Sequence, residues 1–176
     1  MNNPRVMTIW FTGLSASGKS TLSQNLYNDL IKLGIKNIEL LDGESIRDML
    51  KNNSFDKSSR ERIAIQKARI AVELNKKGKV VLVSGITHKK MLRKHIRELI
   101  GNYFEVYLSC DVKVCSKRDY KGHYAKAFSG KLDNFIGVSE PYEESGEYDL
   151  VLHTGRDSVE TCSSLLLKKI KKILDI

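Results

Sequence analysis

The chain has 176 residues, 41% of them apolar and 29% charged, which suits one globular domain spanning residues 1–176. No apolar run approaches the roughly 20 residues of a membrane span. Three cysteines without C-x-x-C spacing and four scattered histidines argue against a disulfide framework and a zinc site, so reduced thiols and no structural metal are expected. The net charge of +9 suits anionic partners, either small phosphorylated substrates or nucleic acid.

The N-terminal MNNPRVM lacks the charged-then-apolar layout of a signal peptide, so a cytoplasmic location is expected. Val6 to Thr12 reads as a buried strand. Leu22, Leu26, Leu30 and Leu33 then recur at helical spacing until Gly34 closes the helix. IKNIELL is a second strand ending at Asp42-Gly43. Ser58, with Glu61 three residues on, forms a capping box for a long helix that stops at Lys77-Gly78. KVVLV is the third strand, Met91 to Ile100 a helix, YFEVYLS the fourth strand, and Asp111 to Arg118 a short helix. Between Asp119 and Gly146 the pattern fails, because the stretch is too polar and glycine-punctuated for core. Connections this long act as lids or binding loops. YDLVLHT is a fifth strand, and LLLKKIKKILDI ends the chain as a helix with Leu166, Ile170, Ile173 and Leu174 on one stripe and lysines on the solvated face. Alternating strands and helices imply βαβ crossovers, hence an α/β fold with a parallel five-stranded sheet, helices on both faces and a polar lid at about 119–146.

Between the first strand and first helix lies GLSASGKST, in which Gly13, Gly18, Lys19 and Ser20 satisfy G-x-x-x-x-G-K-[ST]. The glycines let backbone N–H groups approach phosphate oxygens at a helix N-terminus. Gly13, Ser15, Ala16, Ser17, Gly18, Lys19, Ser20 and Thr21 are therefore the expected ATP cradle. Lys19 reaches the β- and γ-phosphates and Ser20 offers its hydroxyl to Mg²⁺. A guanine-reading N-K-x-D is missing, since NKKG at Asn75 to Gly78 lacks the acid. The third strand ends in Ser84-Gly85 and not in the acid of an ATPase motor. Asp42 closes the second strand instead, at the edge where parallel strands present ligands. A small-molecule kinase, with the Asp119–Gly146 stretch as its lid, fits this arrangement best.

GLSASGKSTL, LDGESIR at Leu41 to Arg47, Phe55 with Arg60 five residues on, RDYKGHYAKAFSGKLDNFIGVSEPYE at Arg118 to Glu143, and LVLHTG together resemble the adenylylsulfate kinase family over nearly the whole chain. The lid pattern D-x-K-G-x-Y-x-K-A and the following P-Y-E are the specific parts. The resemblance implies a three-layer P-loop kinase fold and transfer of the γ-phosphate of ATP to the ribose 3′-hydroxyl of adenylylsulfate, with Mg²⁺. It implies Asp42, Lys19 and Lys121 as catalytic. Arg118 and Thr154 would lie in the ATP-base pocket. Asp42, Arg47, Phe55, Arg60, Ile86, Thr87, Lys121 and Phe135 would surround the acceptor, with the two phenylalanines on its base. Lys126 would be a second lid cation, while Tyr124 and Tyr142 read as packing residues. Relatives are often dimers, which leaves a homodimer open.

Four departures cluster on the acceptor side. Ile63 stands where the family has asparagine, Ile86-Thr87-His88-Lys89 replaces I-S-P-Y, Glu44 replaces the second acid of D-G-D, and the segment from Arg47 to Phe55 is one residue shorter. A site that loses a hydrogen-bonding group discriminates its substrate less well. The acceptor is thus either adenylylsulfate or cytidine diphosphoramidate, a capsule precursor known in the wider group. A phosphoenzyme route through Thr87 stays open, because that residue keeps the hydroxyl. Two other readings remain: a regulatory ATP-binding protein without kinase activity, and a nucleic-acid end kinase suggested by the charge. Aromatics at 7% with no stacking stripe speak against nucleic acid, and the short C-terminal helix lacks a membrane anchor.

Overall fold

The computed structural model describes residues 5–41 and 57–176. Five strands, β1 (Thr8–Gly13), β2 (Ile38–Leu41), β3 (Val80–Ser84), β4 (Tyr103–Leu108) and β5 (Leu150–Leu152), form one parallel sheet in the order β2-β3-β1-β4-β5. The described helices are α1 (Lys19–Lys32), α2 (Lys57–Lys76), α3 (Lys90–Ile100), α4 (Val112–Arg118), α5 (His123–Phe128) and α6 (Val159–Leu174). Because every pairing is parallel, the strands end at a single edge of the sheet. The register Leu41↔Val83, Gly13↔Leu108 and Leu108↔Leu152 brings the ends of all five strands close together there.

Side chains alternate across the central strands, so each face receives its own core. Ile9, Phe11, Val80, Leu82, Val106 and Leu108 meet Leu22, Leu26 and Leu30 of α1 and Leu166, Ile170 and Leu174 of α6. Leu22, Leu26 and Leu30 of α1 and the terminal stripe of α6 thus bury as their spacing demands, whereas Leu33, the residue after α1, is exposed. On the other face Trp10, Val81, Val83 and Tyr103 pack against Ala64, Ala68 and Ala71 of α2 and Ile96 of α3. The alanines leave room for the fully buried indole of Trp10, which fills the space a larger helix stripe would take. Helix starts are set by local chemistry: Asp111 accepts from the Lys113 amide at 2.7 Å and Ser158 from the Thr161 amide at 3.2 Å.

Two expectations are corrected. The segment 119–146 carries a hydrophobic core of its own. Helix α5 presents Tyr124 and Ala127, and these bury with Phe135, Ile136, Leu14 and Cys115 into a third cluster. Few apolar residues suffice there because the cluster rests on the P-loop side of the domain. The capping box expected at Ser58 and Glu61 is displaced, because α2 already begins at Lys57, and Glu61 pairs with Lys89 beyond β3, which offers a full positive charge in place of a backbone amide.

Candidate active site

Gly13 ends β1 with φ 149°, and a Cβ there would stand 2.8 Å from the Leu108 carbonyl oxygen and 3.0 Å from Ser17 Oγ. Only a residue without a side chain lets the loop turn so close beneath β4. Gly18 caps α1 at φ 99°, with no side-chain cap over the first turn. The leading amides of α1 have no intrahelical partner, and with the helix dipole they favour an anion. Lys19 folds back so that Nζ donates to the Leu14 carbonyl at 2.5 Å. Protein crowding around this ammonium pushes its pKa down to about 8 from 10.5.

The loop opens into a cavity of about 750 Å³. Ser15, Ala16, Ser17, Gly18, Lys19, Ser20 and Thr21 line it, together with Ile86, Arg118, Lys121 and Thr154. Eleven of the residues singled out from sequence therefore share one space, while Gly13 shapes its floor from below. Arg118 Nη2 donates to the Thr154 carbonyl at 2.9 Å, joining α4 to the turn after β5. Two buried hydroxyls facing this region, those of Ser17 and Thr154, have no hydrogen-bond partner among the described residues. A polyphosphate nucleotide would satisfy such atoms, so the donor set fits ATP. For Mg²⁺ the described residues offer the exposed Ser20 hydroxyl and no cluster of three acidic or imidazole ligands. This suits an ion held mainly by phosphates and water.

On the other side of β1 lies the turn after β3. Thr12 Oγ1 donates to the Ile86 carbonyl at 2.7 Å and lies 2.7 Å from the Tyr142 hydroxyl. Thr87 is buried, with φ 40°, and its hydroxyl accepts from Trp10 Nε1 at 2.9 Å. Arg60 Nη1 donates to the Asn134 carbonyl, tying α2 to the lid beside Phe135. Phe135 itself is only 8% exposed and meets Tyr124 edge-on, with ring centroids 4.8 Å apart. The Tyr124 hydroxyl donates to the Ser15 carbonyl at 3.0 Å, so the lid helix is fastened to the phosphate loop. Tyr124 and Tyr142 pack as read from sequence, and the structure adds their hydroxyl contacts to Ser15 and Thr12. Lys121 and Lys126 are exposed on the lid, the former over the Tyr120 ring. Asp42, Arg47 and Phe55 lie outside the described residues, as does Glu44.

Sequence reasoning missed Asp157 and Ser158, which line the cavity at the start of α6. Their signal was the helix cap at Ser158, four residues beyond Thr154. Arg93 was missed too, and no local pattern marks it. His88 is buried beside the same turn, and desolvation followed by the Arg60 and Lys89 charges lowers its pKa. It is therefore a neutral ring at physiological pH.

A G-x-x-x-x-G-K-S loop at the strand-end edge of a parallel sheet, roofed by a cation-bearing lid, defines a P-loop phosphotransferase. The family model for adenylylsulphate kinase matches residues 5–153, which takes in the loop, both sides of the site and the lid. The chain belongs to the adenylylsulphate kinase family and is an ATP-dependent kinase. It is 37% identical over 170 residues to the cytidine diphosphoramidate kinase of Campylobacter jejuni, covering 96% of this chain and 98% of that one. With the adenylyl-sulfate kinase of Synechococcus sp. strain JA-3-3Ab it shares 36% over 168 residues, 95% of each chain. The solved Mycobacterium tuberculosis APS kinase in complex with AMPPNP and APS superposes with a TM-score of 0.86 at 30% identity, covering 98% of this chain and 99% of that one. These matches count against a non-catalytic ATP-binding protein and a nucleic-acid end kinase. Among the described residues no helix is long and apolar enough to cross a membrane.

Proposed function

We propose that the protein transfers the γ-phosphoryl group of ATP to the ribose 3′-hydroxyl of a small nucleotide that carries an acidic, anhydride-linked 5′ group. The observation that carries this reading is the single cavity that joins the phosphate loop, Arg118 and Thr154 on one flank with Ile86 and the lid cation Lys121 on the other. That space runs from the phosphate loop to Ile86 on the turn after β3, while Arg60, Thr87 and Phe135 stand outside its lining. Phosphoryl transfer asks chiefly for alignment and neutralisation of charge. Lys19 and the leading amides of α1 serve the phosphates, Lys121 and Lys126 supply cations from the lid, and Ser20 would hold Mg²⁺. The ion, when bound, screens the phosphate oxygens.

Asp42 follows directly on β2 and is the residue we assign to the accepting hydroxyl, which it orients and helps to deprotonate. Asp42→Asn is expected to lower turnover by roughly 10² to 10⁴ while ATP affinity is retained. Arg47 and Arg60 suit the anionic 5′ group, since guanidinium forks match tetrahedral oxyanions. Phe55 and Phe135 are assigned to the acceptor base. Phe135→Leu keeps apolar volume in the lid but removes the ring, and it should raise the acceptor KM roughly 5- to 100-fold through lost stacking. An unchanged KM would leave Phe135 as packing alone.

Cytidine diphosphoramidate and adenylylsulfate are the two acceptors this reading admits. Ile63 is buried at 5% exposure and presents no polar group, which suits the smaller pyrimidine. The deciding experiment incubates the protein with ATP and Mg²⁺ against a panel of nucleoside 5′-phosphosulfates and diphosphoramidates, with products read by mass. A 3′-phosphorylated product from one class names the acceptor. Consumption of neither class would overturn the reading.

A further inference from the structure

We propose that Arg93 is a positioning residue: its buried guanidinium locks the acceptor-side turn at Thr87 and the lid's return at Glu143 into one unit, and so sets acceptor affinity without touching the nucleotides. Arg93 lies on α3 and is 2% exposed. Two of its nitrogens donate hydrogen bonds, and the third stands in an ion pair without a hydrogen bond of its own. Nε faces Glu105 Oε1 of β4 at 3.1 Å, Nη1 donates to the Thr87 carbonyl at 2.8 Å, and Nη2 donates to the Glu143 carbonyl. Tyr142 and Tyr148 cover the guanidinium, with ring centroids 5.1 Å and 5.6 Å away. Both rings stack on Tyr107.

The two backbone segments that this fork joins also bond to each other. The Glu143 amide donates to the His88 carbonyl at 2.9 Å, and Glu143 Oε2 accepts from the Lys90 amide at 2.8 Å. Thr87 is a β-branched residue at φ 40°, a conformation its side chain opposes. Something must hold it there, and the Arg93 and Trp10 donors are placed to do so. A buried ion pair adds little net stability against apolar replacements of similar volume. The Arg93–Glu105 pair is therefore better accounted for by what the remaining two nitrogens hold. A lysine, with one nitrogen, cannot span both carbonyls.

This inference rests on the kinase reading only in its kinetic arm. The test uses Arg93→Met/Glu105→Gln, which removes both charges so that neither is left buried alone, and the same pair with Thr87→Gly added. Hydrogen exchange at the Glu143 amide should quicken by at least about tenfold in the double variant, because two charge-assisted bonds are lost, while the Leu22 amide in α1 keeps its protection. With whichever of adenylylsulfate and cytidine diphosphoramidate the wild type uses, the acceptor KM should rise by at least about tenfold and the ATP KM change less than about twofold. Adding Thr87→Gly should recover about threefold or more in acceptor KM, since glycine adopts positive φ unaided, whereas a general packing defect would not respond. If the double variant does not fold, Arg93→Lys keeps a cation opposite Glu105 and should show the same pattern at smaller amplitude. An unchanged Glu143 amide, or an acceptor KM that stays put, overturns the proposal. Should the wild type use neither acceptor, the function reading fails and the exchange experiment still decides this one.

Discussion

Lys19 links the electrostatics of the loop to its chemistry. In the nucleotide-free protein its pKa stands at about 8 because surrounding protein replaces water around the charge. Bound phosphates favour the protonated form and raise the value again. From neutral pH up to about 8 the ammonium is already charged, and ATP affinity should be flat. Above that pH, binding must draw a proton from solvent, and affinity should fall by up to about tenfold per unit. Calorimetry in buffers of different ionisation enthalpy should therefore report uptake of close to one proton at pH 9 and almost none at pH 7. The nucleotide-free fold shows the same linkage: a lysine depressed in the folded state costs stability while charged, and that cost is relieved as pH rises from about 8 towards 10.5. Gly13 gives a steric test. Gly13→Ala drives a methyl group to 2.8 Å from the Leu108 oxygen, and the backbone shift should cost about 1 to 3 kcal/mol in urea unfolding and abolish tight ATP binding.

Among the elements, strands and long helices were legible because their signals are periodic. Leucines every three or four residues announced α1, the apolar run from Val6 to Thr12 announced β1, and the β-branched run between Gly78 and Gly85 announced β3. The order β2-β3-β1-β4-β5 was not legible, since periodicity says which face is buried and nothing about which strand neighbours which. Within the site, a fixed spacing made the phosphate loop readable, and the resemblance supplied Arg118, Thr154 and Lys121. Arg93 escaped because either arginine in MLRKHIREL looks like solvated charge, and only the fold places Glu105 and two carbonyls around this one. Helix α5 escaped because six residues carry too few turns for a stripe, and the partners of Tyr124 and Phe135 come from Leu14 and Cys115 far off in sequence. The lid's small core makes it separable in energy from the sheet. Phe135→Ala, a truncation that costs about 3 to 5 kcal/mol in a full-sized core, should strip exchange protection from the α5 amides while those of β1 remain protected.

Over the whole molecule, the sheet divides two cores, and Arg118 and Arg93 fasten the lid's two ends to opposite flanks of the strand-end edge. A net charge of +9 favours the approach of anionic nucleotides. Its influence should fade as the Debye length shortens from about 30 Å at 0.01 M to about 8 Å at 0.15 M salt. Accordingly kcat/KM for the nucleotides should drop across that range while kcat holds, and a salt-independent kcat/KM would exclude steering. The Thr87 hydroxyl, already occupied by the Trp10 indole, bears on the course of the overall reaction. Carrying a phosphoryl group in transit would pull that buried hydroxyl away from the indole, which direct transfer does not require, so the phosphorus should undergo one displacement and an isotopically chiral γ-thiophosphate would emerge with its handedness inverted.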